Sequence, residues 1–288
     1  MTDPKVAESP LLPSFVLEAF GVEGQAVRAS EGMGTSFFVG NAVFKHVANE
    51  HQAQVVWCAT VFDGLQVDGV RIPRPLSSRE GHYVVDGWAA SEFVSGETGP
   101  AGRWEQILAT SRALHKELSR IPCPEFIRQR VSPWATADRV AWDEVTIEPL
   151  EELRQPFERL NSLKQSIDHG PPQIIHADLA GNILFSDGLD PAVIDFSPSW
   201  RPAAYGDAII VADGIVWYGA GESLIDLGGT TGDFLQLLVR ALIFRLISTN
   251  ELVRQQRLPY SDQEVGRFNN AIGRVVKRLT ERQSLRGP

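Results

Sequence analysis

The sequence predicts an α+β protein in two lobes, a small antiparallel sheet carrying one helix over residues 1–94 and a larger, mainly helical part over residues 95–288. Three observations lead there. Short apolar runs crowd the first third, apolar residues recur at helical spacing from Trp104 onward, and a run of breakers, Ser95-Gly96-Glu97-Thr98-Gly99-Pro100-Ala101-Gly102, separates the two. The composition agrees, since 288 residues with 43% hydrophobic and 22% charged make an ordinary folded chain able to bury a sizeable core.

Taken in order, a short helix ends at Phe20-Gly21, where glycine suits a left-handed cap. Ser36-Phe37-Phe38-Val39 and residues 42–47 read as two strands around Gly40-Asn41, a tight-hairpin signal. A helix is expected over residues 49–63, followed by strands at 83–85 and 90–94. Beyond the breakers, Trp104, Ile107, Leu108, Ser111, Leu114 and Leu118 mark a helix that Pro122 and Pro124 stop. Further helices are expected near 149–168, 205–222, 231–256 and 261–283. Between them lie two short apolar strands, 173–175 and 192–194, each running into polar residues.

Charge and cysteine usage exclude several classes. With 27 Lys+Arg against 36 Asp+Glu the net charge is −9, and no basic block is present, so nucleic acid is not expected as a partner. The two cysteines, Cys58 and Cys123, lack metal-ligand spacing and suit a reducing compartment. No basic-then-apolar leader and no apolar run long enough to cross a bilayer is visible, so a cytoplasmic protein with no membrane partner is expected. The oligomeric state is not legible.

The chemistry is expected at the two strand ends, Ile175-His176-Ala177-Asp178-Leu179-Ala180-Gly181-Asn182-Ile183-Leu184-Phe185 and Val193-Ile194-Asp195-Phe196-Ser197. Taken singly, His176 reads as a core histidine, Asp178 and Asp195 as strand-end caps and Asn182 as a turn residue. As an ordered set they resemble the aminoglycoside phosphotransferase family, whose protein-kinase-like fold carries an H-G-D-x-x-x-x-N catalytic loop and an I-D-F/W metal strand. The resemblance implies Asp178 as the carboxylate that orients the attacking hydroxyl, with His176 in the same catalytic loop, and Asn182 and Asp195 as oxygen ligands of Mg²⁺. Two departures stand out: Ala177 replaces the usual glycine, and three residues rather than four separate Asp178 from Asn182. The shortened loop, with Ser197-Pro198-Ser199-Trp200-Arg201-Pro202 after it, resembles a small actinobacterial branch of the superfamily.

The first lobe extends the resemblance. Gly32, Gly34, Thr35 and Ser36 precede the hairpin where a backbone loop would cover phosphates, although the third glycine of the kinase loop is missing. Val43-Phe44-Lys45 resembles the family's V-x-K strand, whose lysine holds the α/β-phosphates, and Glu50 is the acidic partner available to Lys45 on the next helix. Residues 89–97 resemble the hinge, with Glu92 and Val94 offering backbone contacts to a purine edge and Ser91 in the gatekeeper position. Leu114-His115 matches a frequent family pair, with His115 read as structural.

The resemblance, which runs from about residue 27 to about 217, implies a Mg²⁺-dependent transfer of the γ-phosphate of ATP or GTP to a hydroxyl of a small molecule, an aminoglycoside or a nucleoside antibiotic, as in resistance or self-resistance. Acceptor recognition is expected in the helical half, where Asp207, Asp213, Asp226, Asp233, Trp217 and Tyr218 are candidates. The alternative is a nucleotide-binding pseudokinase serving as a regulatory or scaffold module. A protein kinase fits less well, because nothing resembles an A-P-E segment after Asp195.

Overall fold

The structure, a computed structural model, describes residues 11–29, 36–167, 170–229 and 231–285. It divides into two compact units, Met1–Gly96 with Leu184–Ile194, and Glu97–Ile183 with Asp195–Pro288.

The first unit is built on an antiparallel sheet. Strands β1 (Val27–Arg28), β2 (Ser36–Val39), β3 (Ala42–His46), β4 (Pro75–Leu76), β5 (Val84–Val85) and β6 (Trp88–Glu92) run in the order β1-β2-β3-β6-β4, with β5 also on β6. The β2–β3 hairpin has the register Phe38↔Val43, and Gly40 takes a φ of 57° that a side chain would disfavour. Alternation along these strands turns Phe37, Val39, Phe44 and Trp88 to one face. There they meet Val16 and Phe20 of helix α1 (Ser14–Phe20), with Phe20–Phe44 and Phe37–Trp88 packed edge-to-face at 5.6 Å. Helix α2 (Gln52–Asp63) follows a 3₁₀ turn at Asn49–His51. The hairpin of β8 (Ile183–Leu184) and β9 (Ala192–Val193) is tied to Arg71, whose N–H donates to Pro191 O at 2.8 Å and whose carbonyl accepts from Val193 N at 2.9 Å. Gly96 is required where it stands, because a Cβ would lie 2.9 Å from Leu184 Cβ and Phe185 O.

The second unit is helical: α3 (Trp104–Leu118), α4 (Glu125–Gln129), α5 (Pro133–Ala141), α6 (Glu151–Leu163), α7 (Ala203–Val216), α8 (Ser223–Gly228), α9 (Gly232–Arg254) and α10 (Asp262–Leu285). Its one strand pair is β7 (Gln173–His176) with β10 (Pro198–Arg201), among the described residues. Helix α9 packs against α5, α6, α7 and α10. Helix α7 is buried on every side from Tyr205 to Val216, so its two carboxylates, Asp207 and Asp213, must find partners inside.

Several elements differ from the expected string, among them α4, α8 and β4, which were not expected at all. The helix expected to 222 stops at Val216, because Gly219 turns the chain with φ 67° before α8 starts. Helix α5 was signalled only by its cap: Ser132 Oγ accepts from Ala135 N at 3.1 Å and Pro133 fills the first turn. Strand β10 begins on a proline, tolerated at the first position of a strand, and is induced by pairing with β7. No helix among the described residues is long and apolar enough to cross a membrane.

Candidate active site

The β7–β10 pair sets two loops side by side. Pro198 faces His176, and Ala177 N donates to Ser197 O at 2.9 Å, which aligns the backbone leading to Asp178 with the backbone leaving Asp195. Asp195 has a left-handed φ of 49°, a conformation costly for most side chains and tolerated by aspartate, and its side chain is exposed.

The shortened loop closes as a turn in which Asn182 N donates to Leu179 O at 2.9 Å. The Asn182 Nδ2 donates to Asp178 O at 2.5 Å and to Asp178 Oδ2 at 3.1 Å. With its amide spent on Asp178, Asn182 has Oδ1 left to serve as a hard ligand. His176 is fully buried, stacked edge-to-face on Phe196 at 5.1 Å, and its Nδ1 accepts from Asp178 N at 3.1 Å. It therefore acts on the loop's shape.

Behind this loop lies a buried relay. His176 N donates to His115 Nε2 at 3.0 Å, so that nitrogen carries no proton. Nδ1 then holds the ring's hydrogen, 3.3 Å from Ser111 Oγ, which in turn donates to Asp207 Oδ1 at 2.7 Å. Arg112 Nε closes the chain on Asp207 Oδ2 at 2.7 Å. Burial pushes His115 down to about 3, and it also pushes the Asp207 carboxyl up, opposed by Ser111 and Arg112.

Sequence reading did not anticipate Arg245, on α9. Its guanidinium, 6% exposed, grips Asp213 with Nε to Oδ1 and Nη2 to Oδ2, both at 2.6 Å, and the same Nη2 reaches Asp178 Oδ1 at 2.8 Å. It also lies over the rings of Trp217 at 5.7 Å and Phe244 at 5.1 Å. The Asp178 side chain stays 51% exposed. Burial, the largest single effect, works to raise its carboxyl, but the charges of Arg245 and His176 together with the hydrogen bonds from Arg245 and Asn182 outweigh it and hold the group below the usual carboxylate range. Asp178 is thus ionised at neutral pH, with one oxygen anchored and its position set. Asp213, also on the arginine, is pushed up by burial to about 6. The available signal for Arg245 was a charge inside an apolar helix, Leu242-Ile243-Phe244-Arg245-Leu246-Ile247, which burial obliges to find carboxylates.

A family profile described as "Phosphotransferase enzyme family" matches residues 35–210, a span that holds both strand ends and the loop between them. The chain belongs to this family. Among solved structures, this phosphotransferase is similar to an amicoumacin kinase bound to AMP-PNP, Ca²⁺ and amicoumacin (12% identity, 91% of this chain and 92% of that one, TM-score 0.59). It is also similar to a choline kinase from Streptococcus pneumoniae (11%, 92% and 98%, 0.58) and to a spectinomycin phosphotransferase bound to ADP and spectinomycin (14%, 92% and 96%, 0.57). At these identities the likeness establishes the fold. No curated protein matches the phosphotransferase in sequence.

The remaining expected residues are distributed as follows. Gly32, Gly34 and Thr35 lie outside the described residues. Ser36 opens β2 opposite Lys45, which is half-buried on β3. Glu50 is exposed in the 3₁₀ turn before α2. Glu92 ends β6 with its N–H spent on Arg74 O at 2.8 Å, and Val94 follows two residues later. Among the described residues no three His, Cys, Asp or Glu side chains gather to hold a metal. Of the acidic acceptor candidates, Asp207 and Asp213 are consumed by Arg112 and Arg245, and Asp226 pairs with Arg278 at 2.7 Å. Trp217 Nε1 donates to Glu264 at 2.6 Å, while Tyr218 lies edge-to-face on Trp104 at 6.0 Å.

Proposed function

We propose that the chain is a small-molecule O-phosphotransferase of the cytoplasm that moves the γ-phosphate of ATP or GTP to a hydroxyl group. The observation that carries this reading is the Asp178 carboxylate, half-exposed, ionised and anchored through one oxygen by a buried guanidinium. A loose phosphoryl-transfer transition state asks little of a base and much of positioning, and an ionised, immobilised carboxylate supplies the latter by accepting the hydroxyl's hydrogen bond. His176 keeps the loop in register from below. Lys45, with Glu50 as its partner, would hold the α/β-phosphates; Gly32, Gly34, Thr35 and Ser36 would cover them; Glu92 O and Val94 N would meet the purine edge.

The donor set suits Mg²⁺. Asn182 Oδ1 and the exposed Asp195 carboxylate are two hard oxygens, and Mg²⁺ commonly takes one or two protein ligands and completes its shell with phosphates and water. Bound there, it would neutralise charge on the transferring phosphate.

The acceptor is a small polar molecule, an aminoglycoside or a nucleoside antibiotic. A polycation gains little from this surface, because three of the four acidic candidates on α7, α8 and α9 are already paired. The partly exposed Trp104 and Tyr218 favour an acceptor that stacks, with Tyr218 OH directly over Gly181 of the loop. The test is phosphate transfer from Mg·ATP and Mg·GTP to a panel of hydroxyl compounds, with Asp178→Ala as control. Turnover lowered about 10²-fold or more in Asp178→Ala, with nucleotide affinity kept, supports the assignment. Nucleotide binding without turnover across the panel would instead favour a pseudokinase module, and transfer only to proteins would overturn the small-molecule reading.

A further inference from the structure

The helical unit holds a cavity of about 210 Å³ walled by α4 and its flanking turns, by α5, and by β10. Arg128, Arg130, Arg139 and Arg201 line it against two carboxylates, Asp138 and Glu144. In a chain of net charge −9, four cations against two anions leave this hollow with two positive charges in excess.

The hydrogen bonds say where the excess resides. Both carboxylates are spent on Arg201, whose Nη2 reaches Asp138 at 2.7 Å, whose Nε reaches the same carboxylate at 3.1 Å, and whose Nη1 reaches Glu144 at 2.7 Å. Arg130 also acts electrostatically on Asp138, whereas the hydrogen bonds that orient Arg139 go to neutral groups. Arg139 Nη2 donates to the carbonyls of Arg128 and Arg130 at 3.0 and 2.9 Å, and Arg130 Nη1 donates to Pro198 O at 3.2 Å. Backbone carbonyls fix a guanidinium without cancelling its charge, and Arg139 uses one of its three nitrogens in this way. The Arg128 side chain is exposed at the mouth of the hollow.

Fixed guanidinium forks with surplus charge match a tetrahedral dianion. A phosphomonoester brings a charge of about −1.5 to −2 at neutral pH and three strong acceptor oxygens. The volume lies below the roughly 300–1,000 Å³ of drug-sized pockets, which limits the body attached to the phosphate. The geometry points to a binding site for a small organic phosphomonoester, gripped by Arg139 and Arg128 and floored by the Arg201–Asp138 pair. It owes nothing to the phosphotransfer reading, since none of its residues belongs to the loop at Asp178.

Titration calorimetry of the full chain with ribose 5-phosphate at low salt tests this. Saturable binding is expected, with ribose silent. Arg128→Gln, at an exposed side chain, and Arg139→Gln should each weaken it about tenfold, the worth of one charge-assisted bond. Glu144→Gln, which removes a negative charge from the rim, should tighten it. No binding, wild-type affinity in both arginine variants, or binding of a phosphoserine peptide in preference to ribose 5-phosphate would each overturn the proposal.

Discussion

Replacing Arg245 by methionine separates what this side chain does for stability from what it does for Asp178. The guanidinium, itself buried, makes three short bonds, two to the buried Asp213 and one to the half-exposed Asp178. Removing one partner of a buried ion pair costs about 3–5 kcal/mol. Asp213, already raised to about 6 by burial, would take up a proton at neutral pH once the arginine is gone, which places the loss near 3 kcal/mol. For a unit of this size that is a fall in Tm of roughly 6–12 °C. The informative variant is the double one, Asp213→Leu with Arg245→Met, because replacing both members of a buried pair by apolar groups is commonly neutral or stabilising. Its Tm should return towards the parent value. Asp178 would still lack its anchor, and since misplacement by about 1 Å can cost 10²-fold, turnover should stay down by about that factor with nucleotide affinity unchanged. Circular dichroism melting and steady-state transfer kinetics read the two quantities apart. A double variant that regains both Tm and turnover would show that Arg245 serves the fold alone.

Three further outcomes are expected. Asp195→Asn should weaken Mg²⁺-dependent nucleotide binding in calorimetry, a neutral amide being a poorer ligand for a hard cation, while leaving metal-free binding alone. Gly206→Ala should cost about 1–3 kcal/mol and lower turnover with it, because the new Cβ would lie 2.3 Å from His115 Cε1 and displace the ring that holds His176; urea denaturation and kinetics check both. The pH profile carries two opposed contributions. His115 is depressed from 6.5 to about 3, so its stabilisation is complete above 6.5 and is lost as pH falls through that value. Asp213 is raised from 3.8 to about 6, so stability is gained as pH falls from 6 towards 3.8. His115→Gln removes the first alone and should gain about 2 kcal/mol, relative to wild type, between pH 7 and pH 5 in urea titrations.

How much could be read in advance depended on whether a residue's role is local. The Gly40-Asn41 hairpin, the apolar stripe of α3 and the polar endings of β7 and β9 are written in neighbouring residues, and the family profile covers the same stretch. The partners of Asp178 are written elsewhere. Arg245 lies 67 residues downstream and His115 lies 61 residues before His176, so no local pattern links them. Even so, an arginine at 245 within an apolar helix was a signal that buried polar partners must exist, here the carboxylates of Asp213 and Asp178. Strand β10 was hidden for another reason. Ser-Pro-Ser-Trp-Arg has little strand character of its own, and its conformation is borrowed from β7.

The shortened turn between Asp178 and Asn182 has a physical counterpart across the unit. Gly181 sits so close beneath Tyr218 that even one added carbon would come within 2.9 Å of the phenol oxygen. Loop length and the residue at 218 therefore draw on the same space. We expect them to be traded against each other: lengthening the loop by one residue in this chain should be better tolerated when Tyr218 is also made small. The short loop would then be one half of a matched exchange of volume, with the tyrosine supplying the wall that a longer loop would otherwise have formed.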